Sequence, residues 1–206
     1  MNPLTTLLPL LAALITTASP TGPTYQPPAT CPSNGYLPPN ASTISPSLIV
    51  PISARSPNTA LGPTTNPLIT PSDICTIFNL PLPPTAANKT CSLRFLFPTQ
   101  DQLLLSPSTS TYAYTGPGHF TFTGYAIGAG AEANTTYAHQ PAAGPNPPSP
   151  PSVLSPGNAY VINESPCGTS GVGETVVSGA LCSNDTYFEF RQDAEACAIG
   201  FFVVLS

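Results

Sequence analysis

The clearest pattern in the chain is apolar and polar side chains alternating at a period of two. Across 90–97, Cys91, Leu93, Phe95 and Phe97 share one face while Ser92 and Arg94 share the other. Eight residues of that pattern predict a half-buried strand. Phe120 and Phe122 alternate with Thr121 and Thr123 in the same way. Leu48-Ile49-Val50 is a short apolar run followed by Pro51. Proline brings no donor to a ladder, so this run is expected at a sheet edge. Segments 160–163, 175–181, 186–191 and 198–205 complete the set of predicted strands. Turn-forming clusters separate them: Pro117-Gly118, the Gly/Ala run 128–131, the stretch 168–173 and Ser183-Asn184-Asp185. Residues 140–152 are rich in proline and predict a long exposed loop. No 3.6-residue period persists beyond about two turns. Seven or eight short strands with frequent turns predict an all-β, antiparallel, jelly-roll-like β-sandwich.

The pattern changes toward the amino end. Leu7–Ile15 is a short apolar run, and Thr16-Thr17-Ala18 follows with small residues. This predicts a secretory signal peptide at 1–18, although no Lys or Arg precedes the run. The run is too short to span a bilayer. Residues 19–46 are rich in Pro, Ser and Thr, which favour extended, solvated backbone. They are expected to form a linker or an O-glycosylated tail. The domain is expected at 47–206. No second hydrophobic span follows, and Phe201–Ser206 is too short for a glycolipid-anchor signal. The expected destination is extracellular or the cell wall.

Composition narrows the partners. Only 6% of the 206 residues are charged, and the cations are Arg55, Lys89, Arg94 and Arg191. Four scattered cations cannot neutralise a row of phosphates, which argues against nucleic acid. They give no grip on anionic lipid heads either. With 41% hydrophobic residues, a packed domain is expected rather than a disordered chain.

Six cysteines remain after the leader: Cys31, Cys75, Cys91, Cys167, Cys182 and Cys197, with no C-x-x-C pair. An even count in an oxidising compartment implies three disulfides among 15 pairings. Cys91 on an inward face and Cys167 at a strand end are expected to link the two sheets. Cys182 and Cys197 flank a predicted strand pair and are expected to staple it. Cys31 and Cys75 would then tie the tail to the domain. Five N-x-S/T sequons, at Asn40, Asn88, Asn134, Asn163 and Asn184, point to the same pathway. Pro166 weakens the fourth.

The chemistry-bearing residues form no convincing constellation. Gly168-Thr169-Ser170-Gly171 resembles the nucleophile loop of a serine protease, but a nucleophilic Ser needs a His base. The histidines are His119 and His139, both in loops. The same two, with Asp73 or Glu132, are weak candidates for zinc. The nine acids show no spacing that singles out a pair for glycoside hydrolysis. No cofactor, no metal site and no catalytic residue is therefore predicted. Tyr112, Tyr114, Tyr125 and Tyr137 cluster in sequence and are candidates for recognition.

The stretch Leu48–Gly62 (LIVPISARSPNTALG), then Cys75–Pro81 (CTIFNLP) and Lys89–Pro98 (KTCSLRFLFP), resembles a family of fungal secreted domains. Ser155–Tyr160 (SPGNAY) and the following Cys167 continue the pattern. The family is the But-two C-terminal domain, named for a protein that binds the Uba-three subunit of a ubiquitin-like activating enzyme. The resemblance covers 47–206 and implies one β-sandwich domain with no known catalytic residues. The expected function is that of a non-enzymatic secreted fungal protein of the wall or extracellular matrix. The alternative is a secreted module recognising a cell-wall glycan or an extracellular protein through the tyrosine-bearing loops.

Overall fold

A computed structural model of the chain describes residues 31–32, 37, 42–107, 109–145, 148, 150–194 and 196–206. The expected signal peptide, most of the expected tail and the sequon at Asn40 lie outside the described residues. Eleven strands are described in three antiparallel sheets, with little helix. They are β1 (Thr43–Ile44), β2 (Leu48–Ser53), β3 (Leu68–Ile69), β4 (Ile74–Leu82), β5 (Thr90–Phe97), β6 (Tyr112–Thr115), β7 (Thr121–Gly124), β8 (Asn158–Pro166), β9 (Thr175–Cys182), β10 (Tyr187–Phe190) and β11 (Gly200–Leu205). A six-residue helix, α1 (Gln100–Leu105), joins β5 to β6. Its first turn is closed by a capping box. Thr99 Oγ1 accepts from the Gln102 amide at 3.1 Å, and the Gln102 side chain accepts from the Thr99 amide at 2.8 Å.

The expected sandwich is present, with more strands than the alternation predicted. One four-stranded sheet runs β1-β11-β5-β8 and the other β2-β4-β9-β7, while β3-β10-β6 forms a third, smaller sheet. Pro51 does lie on an edge strand: Ile49 turns its carbonyl away from β4 to the Thr64 amide, and Pro51 faces that same side. Pro81 is tolerated within a central strand for a related reason. It pairs with Val176 on β9 but lies past the last β2 partner, so no donor is missed there.

The inner faces meet in one aromatic cluster. Phe78 of β4, Phe95 and Phe97 of β5, Phe188 and Phe190 of β10 and Phe201 of β11 are fully buried there. Phe188 stacks on Phe190 at 4.6 Å and meets Phe95 edge-on at 6.1 Å, so all three sheets share these rings. Such offset and tilted contacts add to the burial of large apolar area. β11 is buried along its whole length because Phe201, Val203 and Leu205 pack inward, while Phe202 packs on Leu96 and Ala198 outside. The start of β11 is held by Gln192. Its carboxamide accepts from the Phe201 amide and donates to the Phe201 carbonyl, both at 3.0 Å. Gly200 precedes it at φ 114°, where any Cβ would fall on that carboxamide.

Outside the second sheet, Val50, Ile52, Ile77 and Ala180 are covered by Tyr125 and Ala131 from the segment after β7. Buried Asn79 holds that segment: its carboxamide donates to the Ala131 carbonyl at 2.8 Å and accepts from the Ala131 amide at 2.9 Å. β8 is the outer strand of the first sheet. Leu93 pairs with Asn163 but Arg94 with Val161, so Ile162 is the extra residue of a bulge and is buried in the core.

All six cysteines are paired; Cys91–Cys167 is the expected pair, and the other two pairs differ from expectation. Cys75 is bonded to Cys182, Cys91 to Cys167 and Cys31 to Cys197. The expected Cys182–Cys197 staple fails because the two residues serve different sheets. Cys182 ends β9, whose ladder neighbour is β4, and Cys75 lies opposite it with Cα atoms 4.5 Å apart. That leaves Cys197, just before β11, for Cys31 rather than the expected Cys31–Cys75 tie. The Cys91–Cys167 bond does not link the sheets: β5 and β8 are neighbours in one sheet, and the bond closes their end.

Candidate functional site

The two four-stranded sheets do not fill the space between them completely. On the side where β7 and β8 form the outer strands, a cavity of about 330 Å³ opens between the layers. Leu80 and Leu82 of β4, Leu93 of β5, Val177 of β9 and Val203 of β11 form its deep wall. Ile127, Gly144 and Pro145 face Asn163, Ser165 and Pro166 nearer the mouth. Ile127 is 61% exposed.

The gap has a local cause. β9 and β7 place Gly179 opposite Gly124, so neither strand projects a side chain at that level. The Phe122 ring occupies part of the freed space: a Cβ on Gly179 would lie 2.5 Å from it. Glycine inside a strand often marks a close approach of this kind. None of the described residues lining the cavity is charged. Tyr125 is the one titratable group among them apart from the bonded Cys91 and Cys167, and burial pushes its phenol well above the usual tyrosine range. Its hydroxyl donates to Gln140 Oε1 at 2.7 Å. The cavity is thus neutral across the physiological range, suited to holding apolar matter and without a proton donor or acceptor of catalytic pKa.

The protease-like arrangement is not assembled. Ser170 lies in the loop before β9, where its hydroxyl accepts from the Val172 amide at 3.4 Å. His119 lies beside the far end of β9, its Nδ1 2.7 Å from Asp185 Oδ2. The eight residues of β9 separate the two by roughly 25 Å at a strand's rise per residue. The Asp185 carboxyl is held below the ordinary range by the Thr186 hydroxyl and then by His119. Ser183 is close to this pair but occupied: it donates to the His119 carbonyl at 2.6 Å and accepts from the Thr186 amide at 2.9 Å. That is a turn lock between β9 and β10. His139 rests 3.2 Å from Thr136 Oγ1. It shares a second, open and polar hollow with Glu132, Asn134 and Gln140. Asp73 accepts from the Ser53 hydroxyl at 2.6 Å and faces Arg55 at 3.9 Å. No group of three metal-ligating side chains gathers among the described residues.

The four tyrosines singled out in the sequence do not form one exposed face. Tyr112 and Tyr114 turn their rings onto Phe97 and Phe188, and burial raises both phenols. Tyr114 donates to the Leu154 carbonyl at 3.1 Å, and Tyr125 is buried. Tyr137 alone of the four is exposed, at 38%. The sequon residues Asn88, Asn134, Asn163 and Asn184 are all exposed. The cavity itself escaped the sequence reading. Its one sequence signal is Gly179 within an otherwise β-forming run, which marks a packing irregularity without saying where the opposing sheet lies.

Among the described residues no helix is long and apolar enough to cross a membrane. Residues 45–196, most of the chain, match the family described as Ubiquitin 3 binding protein But2 C-terminal domain. No curated protein and no solved structure matches the chain. The chain belongs to the But2 C-terminal domain family.

Proposed function

We propose that this member of the But2 C-terminal domain family is a non-enzymatic protein of the secretory pathway, released to the cell wall or extracellular matrix, where it acts by binding. The observation that carries the reading is the pairing of every cysteine in the chain. Cysteines bonded in this way suit an oxidising compartment, since such disulfides would be reduced in most cytosols. The exposed sequon asparagines and the apolar run at 7–15 support the same route. The family takes its name from a binding protein, which supports binding rather than turnover. Recognition of a glycan or host protein through tyrosine-bearing loops has weaker support. It rests on Tyr137, since the other three rings are packed.

Fractionation of the producing cells tests the reading. The protein is expected in the medium or wall fraction, unreactive to thiol alkylation when denatured without reductant, and smaller after enzymatic removal of N-glycans. Recovery from cytosol with alkylatable cysteines would reject it.

A further inference from the structure

The cavity between the sheets has a size, a lining and an entrance that together define a ligand class. We propose that it binds one molecule through a medium-length uncharged alkyl chain, inserted tail-first from the β7–β8 side with its polar end left at the mouth. This deepens the binding reading above by naming what is bound.

Volume sets the length. About 330 Å³ holds roughly eleven water-sized groups at about 30 Å³ each. It lies at the lower end of ordinary small-molecule sites. A chain of about ten carbons is of that size. Shape favours a chain over a globular ligand, because the space is a slot between two stacked sheets. Lining sets the charge. Leu80, Leu82, Leu93, Val177 and Val203 supply the depth, and no described lining residue offers a counter-charge. An ionised group drawn inside would lose its water and gain no partner. The mouth differs. Asn163 donates to Ser165 Oγ at 3.5 Å in an exposed stretch of β8, so a hydroxyl, ester or amide end meets water and hydrogen-bonding groups there. The slot is also braced. The Cys91–Cys167 bond closes the β5–β8 end beside it, and the Gly179–Gly124 pair adds no side chain of its own at a level that the Phe122 ring fills only in part.

Equilibrium dialysis of the oxidised, full-length secreted protein against ¹³C-labelled 1-decanol tests the proposal. Uptake should saturate near one molecule per chain. Decanedioate at pH 8, whose inserted end is also ionised, should bind at least tenfold more weakly. Val177→Trp fills the slot and should weaken decanol binding at least tenfold, while Val172→Trp, at a highly exposed loop position, should leave it unchanged. Should V177W fail to form the native disulfides, Ile127→Asp serves instead. It places a charge at an exposed position of the mouth and should weaken decanol binding at least fivefold. Absence of saturable uptake by the wild-type chain overturns the proposal. So does equal affinity for decanedioate, or wild-type affinity in V177W or, where that variant does not fold, in I127D. Uptake seen only as the chain dimerises, followed by light scattering, would give the slot to a second copy and overturn it as well. Fractionation bears on where the protein goes and dialysis on what it holds, so either can fail without the other.

Discussion

Asp73 shows how much one side chain can organise in a chain so poor in charge. Its carboxylate accepts from the Ser53 hydroxyl at 2.6 Å and from the Arg55 amide at 3.1 Å, locking the turn after β2 onto the start of β4. These two hydrogen bonds, the Ser53 one foremost, hold its pKa below the ordinary aspartate value of about 3.9. A carboxyl depressed in the folded state stabilises the fold above its unfolded pKa. That contribution disappears as pH falls through the lower, folded value. Asp73→Ala should therefore lower the Tm at pH 7, and the gap from wild type should close below about pH 4. A gap that persists unchanged at pH 2.5 in thermal melts would mean the carboxylate charge is not the cause. None of this was legible in the sequence, where Asp73 was only one acid of nine. Its role depends on β2 and β4 being neighbours. Phe95 and Phe97 were legible, because local alternation alone assigns them to the inner face. The tyrosines were half legible: their amphipathic rings allow both a wet and a packed position, and the Phe97–Phe188 cluster decides for packing.

Among the elements, alternation missed β1, β3, β4 and β6, and of these β4 is the central one, paired with β2 on one side and β9 on the other. β4 is apolar on both faces, one toward the aromatic cluster and one toward Tyr125 and Ala131, so no period of two shows in it. β1 and β3 span two residues each, too few for any pattern. Missing β4 also misassigned two of the three disulfides, since the partner of Cys182 is set by the ladder and not by its distance along the chain. The β4–β9 bond spans 107 residues of sequence. Replacing both of its cysteines, C75A with C182A, should cost about 2–5 kcal/mol in urea unfolding, with far-UV circular dichroism still of β type. The bond is made across strands already held by seven register pairs, so its loss should weaken the sheet without rearranging it. A loss of sheet signal under native conditions would contradict that. Edge control was partly legible. Pro51 announced the β2 edge, whereas the bulge at Ile162 that bends the β8 edge has no signature apart from its partner strand.

At the scale of the molecule, β11 stands between β1 and β5, so the first sheet depends on a strand that follows all its neighbours in sequence. Its apolar run was legible; its central place was not, because strand order is a long-range property. Truncation after Ile199 should leave β1 without a partner and β5 with an open edge. Such a chain should give scrambled disulfides on non-reducing peptide mapping, and recovery of the three native bonds would show that β11 is dispensable. The sandwich, its paired cysteines and its family could all be approached from the residues, whereas the slot between the sheets is a property of two layers meeting.

The central position of β11 has a consequence for how the protein is made. A ribosome delivers the chain from its amino end, so β5 and β8 emerge, and can pair, well before the strand that completes their sheet. Until residues 200–205 leave the exit tunnel, the aromatic cluster lacks Phe201 and the nascent domain cannot close. During that interval Asn88 and Asn134 lie on open chain, well upstream of the closing strand. On the secretory route proposed above, late closure would leave such sites open to a glycosylating enzyme before folding is complete.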